Sequence, residues 1–137
     1  MLFRSAVASQ IIVDGPSFVA IKLTNISDGT GETAVTKVDV SALEADSRTG
    51  LSCTDVNIER IWWQCIGMKV RILFDADTDV MAIELGENQS GNHDYSIFRG
   101  LTNNAGTGKT GDVKFTTVGA SSGDTYTVIL YLRKKFG

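Results

Sequence analysis

The side chains that could do chemistry gather in a few places, and each place can be checked against what that chemistry requires. Asp75-Ala76-Asp77-Thr78-Asp79 puts carboxylates at the first, third and fifth positions of a calcium loop. The sixth position holds Val80 where such a loop needs a glycine, and the twelfth holds Gly86 where a bidentate Glu should close the shell. The stretch therefore reads as a polar turn whose Asp side chains bond backbone amides. Gly108-Lys109-Thr110 copies the end of a phosphate-binding loop, but Asn103 stands where its first glycine belongs. The next residues, Asp112-Val113-Lys114-Phe115-Thr116, are strand-like, so no helix N-terminus is offered to a phosphate.

His93-Asp94 is half of an acid and base pair without a nucleophile. There is no Gly-x-Ser-x-Gly elbow, and neither Cys53 nor Cys65 has a nucleophile's setting. Carboxylate pairs for glycoside cleavage are defined in space, and no signature favours them. The two cysteines lack a C-x-x-C spacing, and one His leaves too few ligands for zinc. They are expected as free thiols, the usual state in a cytoplasmic chain. No catalytic residue, cofactor or metal is implied by these residues, and the chain is expected not to be an enzyme.

Charge narrows the partners. Thirteen Lys and Arg against sixteen Asp and Glu leave a net charge of -3, whereas a nucleic-acid site needs clustered cations, so no nucleic acid is expected. The basic run Arg133-Lys134-Lys135 reads as a solvated end that blunts a strand edge. No apolar run is long enough to span a membrane, and Arg4 interrupts the start where a secretory leader would be apolar. The chain is expected to stay in the cytoplasm where it is made, which leaves the acceptor patterns at Asn25 and Asn88 idle.

These side chains must be positioned by strands. The 137 residues suit one domain with a sizeable core. Fourteen glycines and one proline, set between runs of Val, Ile, Thr and aromatics, give the spacing of an all-β antiparallel sandwich, jelly-roll-like, of about seven to nine strands. The expected strands are 17–25, 35–41, 55–65, 68–75, 80–86, 112–118 and 124–133, with a further short one at 94–98. Residues 27–32, 86–94 and 102–111 read as loops, and Ser41 with Glu44 has the spacing of a capped helical turn over 41–46.

Alternation puts Val70, Ile72 and Phe74 on one face, and Met81, Ile83 and Leu85 on the matching face of a hairpin partner. With Val128 and Leu130 they form the expected core. The last strand, Tyr126 to Leu132, is apolar on both faces, as a central strand should be. From Val56 to Cys65 the apolar side switches, which a bulge near Glu59 or Arg60 explains. Trp62 and Trp63 must point to opposite faces, so one fills the core and the other meets a second layer, a partner or a ligand.

Three stretches resemble a known group when taken together. They are Ile58-Glu59-Arg60-Ile61-Trp62 running into Gly67-Met68-Lys69-Val70-Arg71-Ile72-Leu73-Phe74-Asp75-Ala76; Asp94-Tyr95-Ser96-Ile97-Phe98-Arg99-Gly100-Leu101-Thr102-Asn103-Asn104-Ala105-Gly106; and Thr110-Gly111-Asp112-Val113 with Ser122-Gly123-Asp124-Thr125-Tyr126-Thr127-Val128-Ile129-Leu130. The set is similar to small virion structural proteins of tailed bacteriophages, especially marine and cyanobacterial ones, over roughly residues 37–137. The resemblance implies a capsid decoration or cement protein that binds the outside of the major capsid protein shell as a homo-oligomer, with a trimer matching local threefold positions. It would then reside on the virion. The alternative is a carbohydrate-binding or other tail-associated module.

Residues 1–15 are either an N-terminal arm or the first strand, and 16–137 are a single sandwich domain. An arm this apolar could add a strand to a neighbour's edge. The interface residues expected are Phe3, Ile11, Ile12, Trp62 and Trp63.

Overall fold

The computed structural model describes residues 6–137; Phe3 lies outside them. The strands are β1 (Ala6–Asp14), β2 (Phe18–Asp28), β3 (Val35–Val38), β4 (Cys53–Ile66), β5 (Lys69–Phe74), β6 (Val80–Leu85), β7 (Gln89–Asp94), β8 (Val113–Val118) and β9 (Ser122–Phe136). They form a five-stranded sheet in the order β1-β2-β9-β4-β7 and a four-stranded sheet in the order β3-β8-β5-β6, with every pairing antiparallel. From β2 onward the chain changes sheet at each step except across the β5–β6 hairpin. This is the order of a jelly roll, with β1 added at one edge.

The sheets meet over side chains that alternate inward. Leu23, Ile61, Ile72, Phe74, Leu85, Phe115, Tyr126, Val128 and Leu130 are buried, and each large apolar side chain so placed contributes about 1.5–3 kcal/mol. The Phe115 and Tyr126 rings meet edge to face at 5.6 Å. Strand β9 lies between β2 and β4, but only its inner face is buried; Thr127 is exposed and Ile129 and Tyr131 are half-buried, so the expected cover on its second face is not found among the described residues. The bulge falls where the switch of side requires it: β4 slips against β9 between Ile58 and Arg60.

Several expectations are corrected. Met81 is exposed, because β6 slips against β5 so that Leu73 pairs with Met81 while Ile72 pairs with Ile83. The skipped Ala82 turns Met81 to the outside, and Ile83 is only half-buried. The stretch 86–94 contains β7, an edge strand too polar to show alternation, and 94–98 holds a 3-10 turn at Ser96–Phe98 rather than a strand. The turn expected at 41–46 is a 3-10 turn at Val40–Ala42 capped by Asp39, whose carboxylate accepts from the Ser41 amide.

Arg133-Lys134-Lys135 guards no edge. Lys134 occupies an inward position of a central strand, and its buried ammonium pairs with Asp14 and donates to the carbonyls of Gly15 at 2.9 Å and Glu44 at 3.1 Å. Arg133 pairs with Glu59 at 2.7 Å, leaving Lys135 exposed. Cys53 and Cys65 are free and buried. Both sit on β4, twelve positions apart, a separation of about 40 Å along an extended strand, so no bond can join them. Burial pushes the Cys65 thiol up to about 11, away from the reactive thiolate.

Candidate functional site

The outer face of the five-stranded sheet is built from cross-strand rows that the register defines. Trp62, Ile129, Lys22 and Gln10 make one row; Gln64, Thr127, Thr24 and Ala8 the next; Ile66, Thr125, Ile26 and Ala6 the third. On the β7 side, Ser90 continues the second row and Asn92 the first. These residues face outward because their neighbours along each strand face the core.

The second and third rows combine small or uncharged side chains with open space above them. Three adjoining depressions cross the sheet there: about 220 Å³ beside Gln64, Ile66 and Ser90, about 150 Å³ between Trp62, Gln64, Thr127 and Ile129, and about 470 Å³ over Ala6, Ala8, Thr24, Ile26, Thr125 and Thr127. The first two share Gln64 and the last two share Thr127, so together they make one shallow trough running across the strands. Its lining carries hydroxyls, amides, methyls and one indole. Apart from Lys22 in the first row, the charges named on this face lie toward the other end, where Arg60 pairs with Asp94 at 3.4 Å and Arg133 with Glu59. There the Phe18 and Tyr131 rings also stack, 4.9 Å apart.

A second surface is the edge made by β1, which pairs only with β2 among the described residues. Val7, Ile11, Ile12 and Val13 are 44–52% exposed, and the strand carries no charge before Asp14. Val7 and Ile11 pair with Asn25 and Ile21, residues that point into the sandwich, yet the four-stranded sheet does not extend far enough to cover them. An open seam of about 280 Å³ therefore lies between β1 and β3, lined by Val7, Ser9, Val35 and Lys37. At its inner end Lys37 pairs with Glu32, which also accepts from the Tyr126 hydroxyl at 2.6 Å. Burial, then that hydrogen bond to a carboxylate, holds the Tyr126 hydroxyl well above its ordinary pKa.

The remaining candidates resolve into structural roles. Asp75 and Asp79 both face Lys114, at 2.6 and 3.5 Å, and Asp75 also accepts from Thr110 at 2.6 Å. The hydrogen bond from Lys114 leads the causes that lower the Asp75 pKa. Gly111 has φ +88°, and a Cβ there would meet the Thr54 carbonyl oxygen at 2.0 Å, so this glycine serves close packing of the 102–111 loop on β4. His93 stacks between Trp63 and Tyr95, at 6.0 and 5.9 Å. Among the described residues no three His, Cys, Asp or Glu side chains form a group that could hold a metal.

Of the residues expected at an interface, Ile11 and Ile12 lie on the β1 edge and Trp62 on the outer face, 36% exposed. Trp63 is 9% exposed and belongs to the core. Only Trp62 of the pair offers its side chain to a partner, because the position after the bulge turns Trp63 inward. Sequence reasoning missed Gln64, Ser90, Thr24 and Thr127. Their signal was available in part: β2 and β9 place Thr at outward positions where solvent-facing strands commonly carry Lys or Glu.

No protein-family model and no curated protein matches this chain. Among solved structures it is similar to a mutant of CBM29-2, a family 29 carbohydrate-binding module, at 9% identity and a TM-score of 0.41, over 94% of this chain and 93% of that one. The jelly-roll assignment rests on the sheet order itself.

Proposed function

We propose that this chain is a non-enzymatic structural module of a tailed-bacteriophage particle, a capsid decoration protein that docks through β1 on the outside of the major capsid protein shell. The observation that carries this reading is the β1 edge. Natural sheets blunt their edges with charge, proline or short strands, and this strand keeps nine residues with four large apolar side chains in solvent. Its uncovered Val7 and Ile11 supply apolar area, and its free edge supplies backbone hydrogen bonds for strand addition. A closed ring such as a homotrimer would repeat one such contact symmetrically. The resemblance of residues 37–137 to phage virion proteins supplies the setting.

The test is co-sedimentation with empty capsids. The double variant Val7→Lys/Ile11→Lys should keep the parent's melting temperature and lose capsid binding. Undiminished binding by the folded variant would remove β1 from the mechanism.

A second reading is favoured by a different observation, the uncharged trough beside Trp62. A flat, half-exposed indole flanked by hydroxyl and amide side chains suits a sugar, so the module would bind carbohydrate through its outer face. A glycan array separates the two readings: here Trp62→Ala should weaken the glycan hits by about tenfold, and the β1 variant should leave them intact.

A further inference from the structure

We infer that the trough accepts an uncharged, linear polysaccharide laid across the strands, an inference that rests on the carbohydrate reading above and specifies its ligand. The direction is set by the register. Ser90, Gln64, Thr127 and Thr24 stand side by side on β7, β4, β9 and β2, so their polar groups repeat every interstrand spacing, about 4.8 Å. A ligand that meets all of them must run perpendicular to the strands, and the depression continues past Thr24 over Ala8. A branched or compact ligand would touch one depression; an extended chain touches all three.

The absence of charge comes from the same rows. Hydroxyls and amides donate and accept, as sugar hydroxyls do, so either orientation of a hydroxyl finds a partner. A carboxylate or sulfate on the ligand would only accept, and the second row offers it hydroxyl and amide donors but no cation. The nearest cations are Lys22, in the first row beside Ile129, and Arg60, which is paired with Asp94. A ligand lying along the second row therefore meets no charge of opposite sign within that row. On the third row Ile66, Ile26 and Ala6 offer apolar area to the C–H faces of sugar rings, and Trp62 closes the opposite side of the trough.

The experiment is affinity electrophoresis and calorimetry of the full chain against neutral polysaccharides (β-glucan, mannan, agarose) and acidic ones (alginate, carrageenan), each repeated at low and high salt. Binding should be confined to neutral chains and should be insensitive to salt, since no ion pair is formed. Gln64→Ala and Trp62→Ala should each weaken it by about tenfold, at an unchanged melting temperature. Thr127→Lys should instead admit alginate, which the parent refuses. Two failures are distinguishable. Acidic chains bound by the parent in a Trp62-dependent way would overturn this inference while leaving the carbohydrate reading. No binding of any glycan by the parent would overturn both.

Discussion

The two edges of the five-stranded sheet solve the same problem in opposite ways. At one end β7 spans six residues, Gln89–Asp94, with no aliphatic side chain, a glycine at its middle and a terminal Asp94 that pairs with Arg60. At the other end β1 spans nine residues and keeps four large apolar side chains in water. An unpaired strand invites pairing with another chain, and shortness, polarity and charge discourage it. The β7 edge is protected by composition, and the β1 edge is not. The difference teaches that one edge of this sheet carries the features that discourage pairing and the other lacks them. The trough opens between them, crossing every strand.

The largest effect should come from the clasp that holds the end of β1. Lys134→Ala would strand the Asp14 carboxylate and two carbonyls without their buried ammonium, at a cost of about 3–5 kcal/mol. Urea unfolding measures it, and a loss below about 1 kcal/mol would mean that β1 is held by its ladder alone. Next is Gly91→Ala on β7. The added Cβ would lie 3.3 Å from the Trp63 Nε1, which is buried without a hydrogen-bond partner among the described residues, and overpacking of this kind costs about 1 kcal/mol or more. An unchanged melting temperature would show that the β7 edge yields easily.

Exchanging the character of the edges should scarcely touch stability. Ile11→Lys on β1 should stay within about 0.5 kcal/mol of the parent, as surface substitutions do, and should reduce any self-association seen by sedimentation velocity. Asn92→Ile on β7 should raise self-association above the parent's by the same measurement. Equal behaviour of the two variants would erase the contrast between the edges.

The smallest effect is a titration. Hydrogen bonds from the Ser96 hydroxyl and amide, with Arg60 a lesser cause, hold the Asp94 carboxyl below its ordinary 3.8. A lowered folded-state pKa contributes stability that is present above the unfolded value and is lost as pH falls through the folded one. Acidification should therefore loosen β7 and the Ser96–Phe98 turn, while Ala8–Ile11 of β1, with no titratable side chain, should not respond. Amide chemical shifts followed down through the carboxylate range would show it, and Asp94→Asn should abolish the β7 response.

Much of the fold was legible because strands announce themselves by local alternation. Val70, Ile72 and Phe74 sort to one face over six residues, and the change of side after Ile58 betrays a bulge without any knowledge of its partner. Met81 was not legible in this way. Its side depends on a slip between β6 and β5, and the sequence of β6 alone carries no trace of it. Strand β7 was missed for a related reason: an edge strand with both faces in solvent needs no apolar period, so Gln89–Asp94 looks like a loop. In the trough, Trp62 was visible as one of two adjacent tryptophans that must diverge, whereas Gln64, Thr127 and Thr24 gained meaning only as neighbours.

The sequence by itself determined the class of the fold, the faces of most strands and the absence of clustered positive charge, since period, turn residues and net charge are properties of short stretches or simple sums. Tertiary structure alone decided which strands lie side by side, and therefore which outward residues form rows, which edge stays uncovered and which charge is buried. Lys134 makes the reason plain. Read locally it is part of a solvated basic tail; in the fold it meets Asp14, 120 positions away, because long-range pairing of β9 beside β2 brings them together. Contacts between distant residues arise from packing the whole chain into two layers, and no local pattern encodes them.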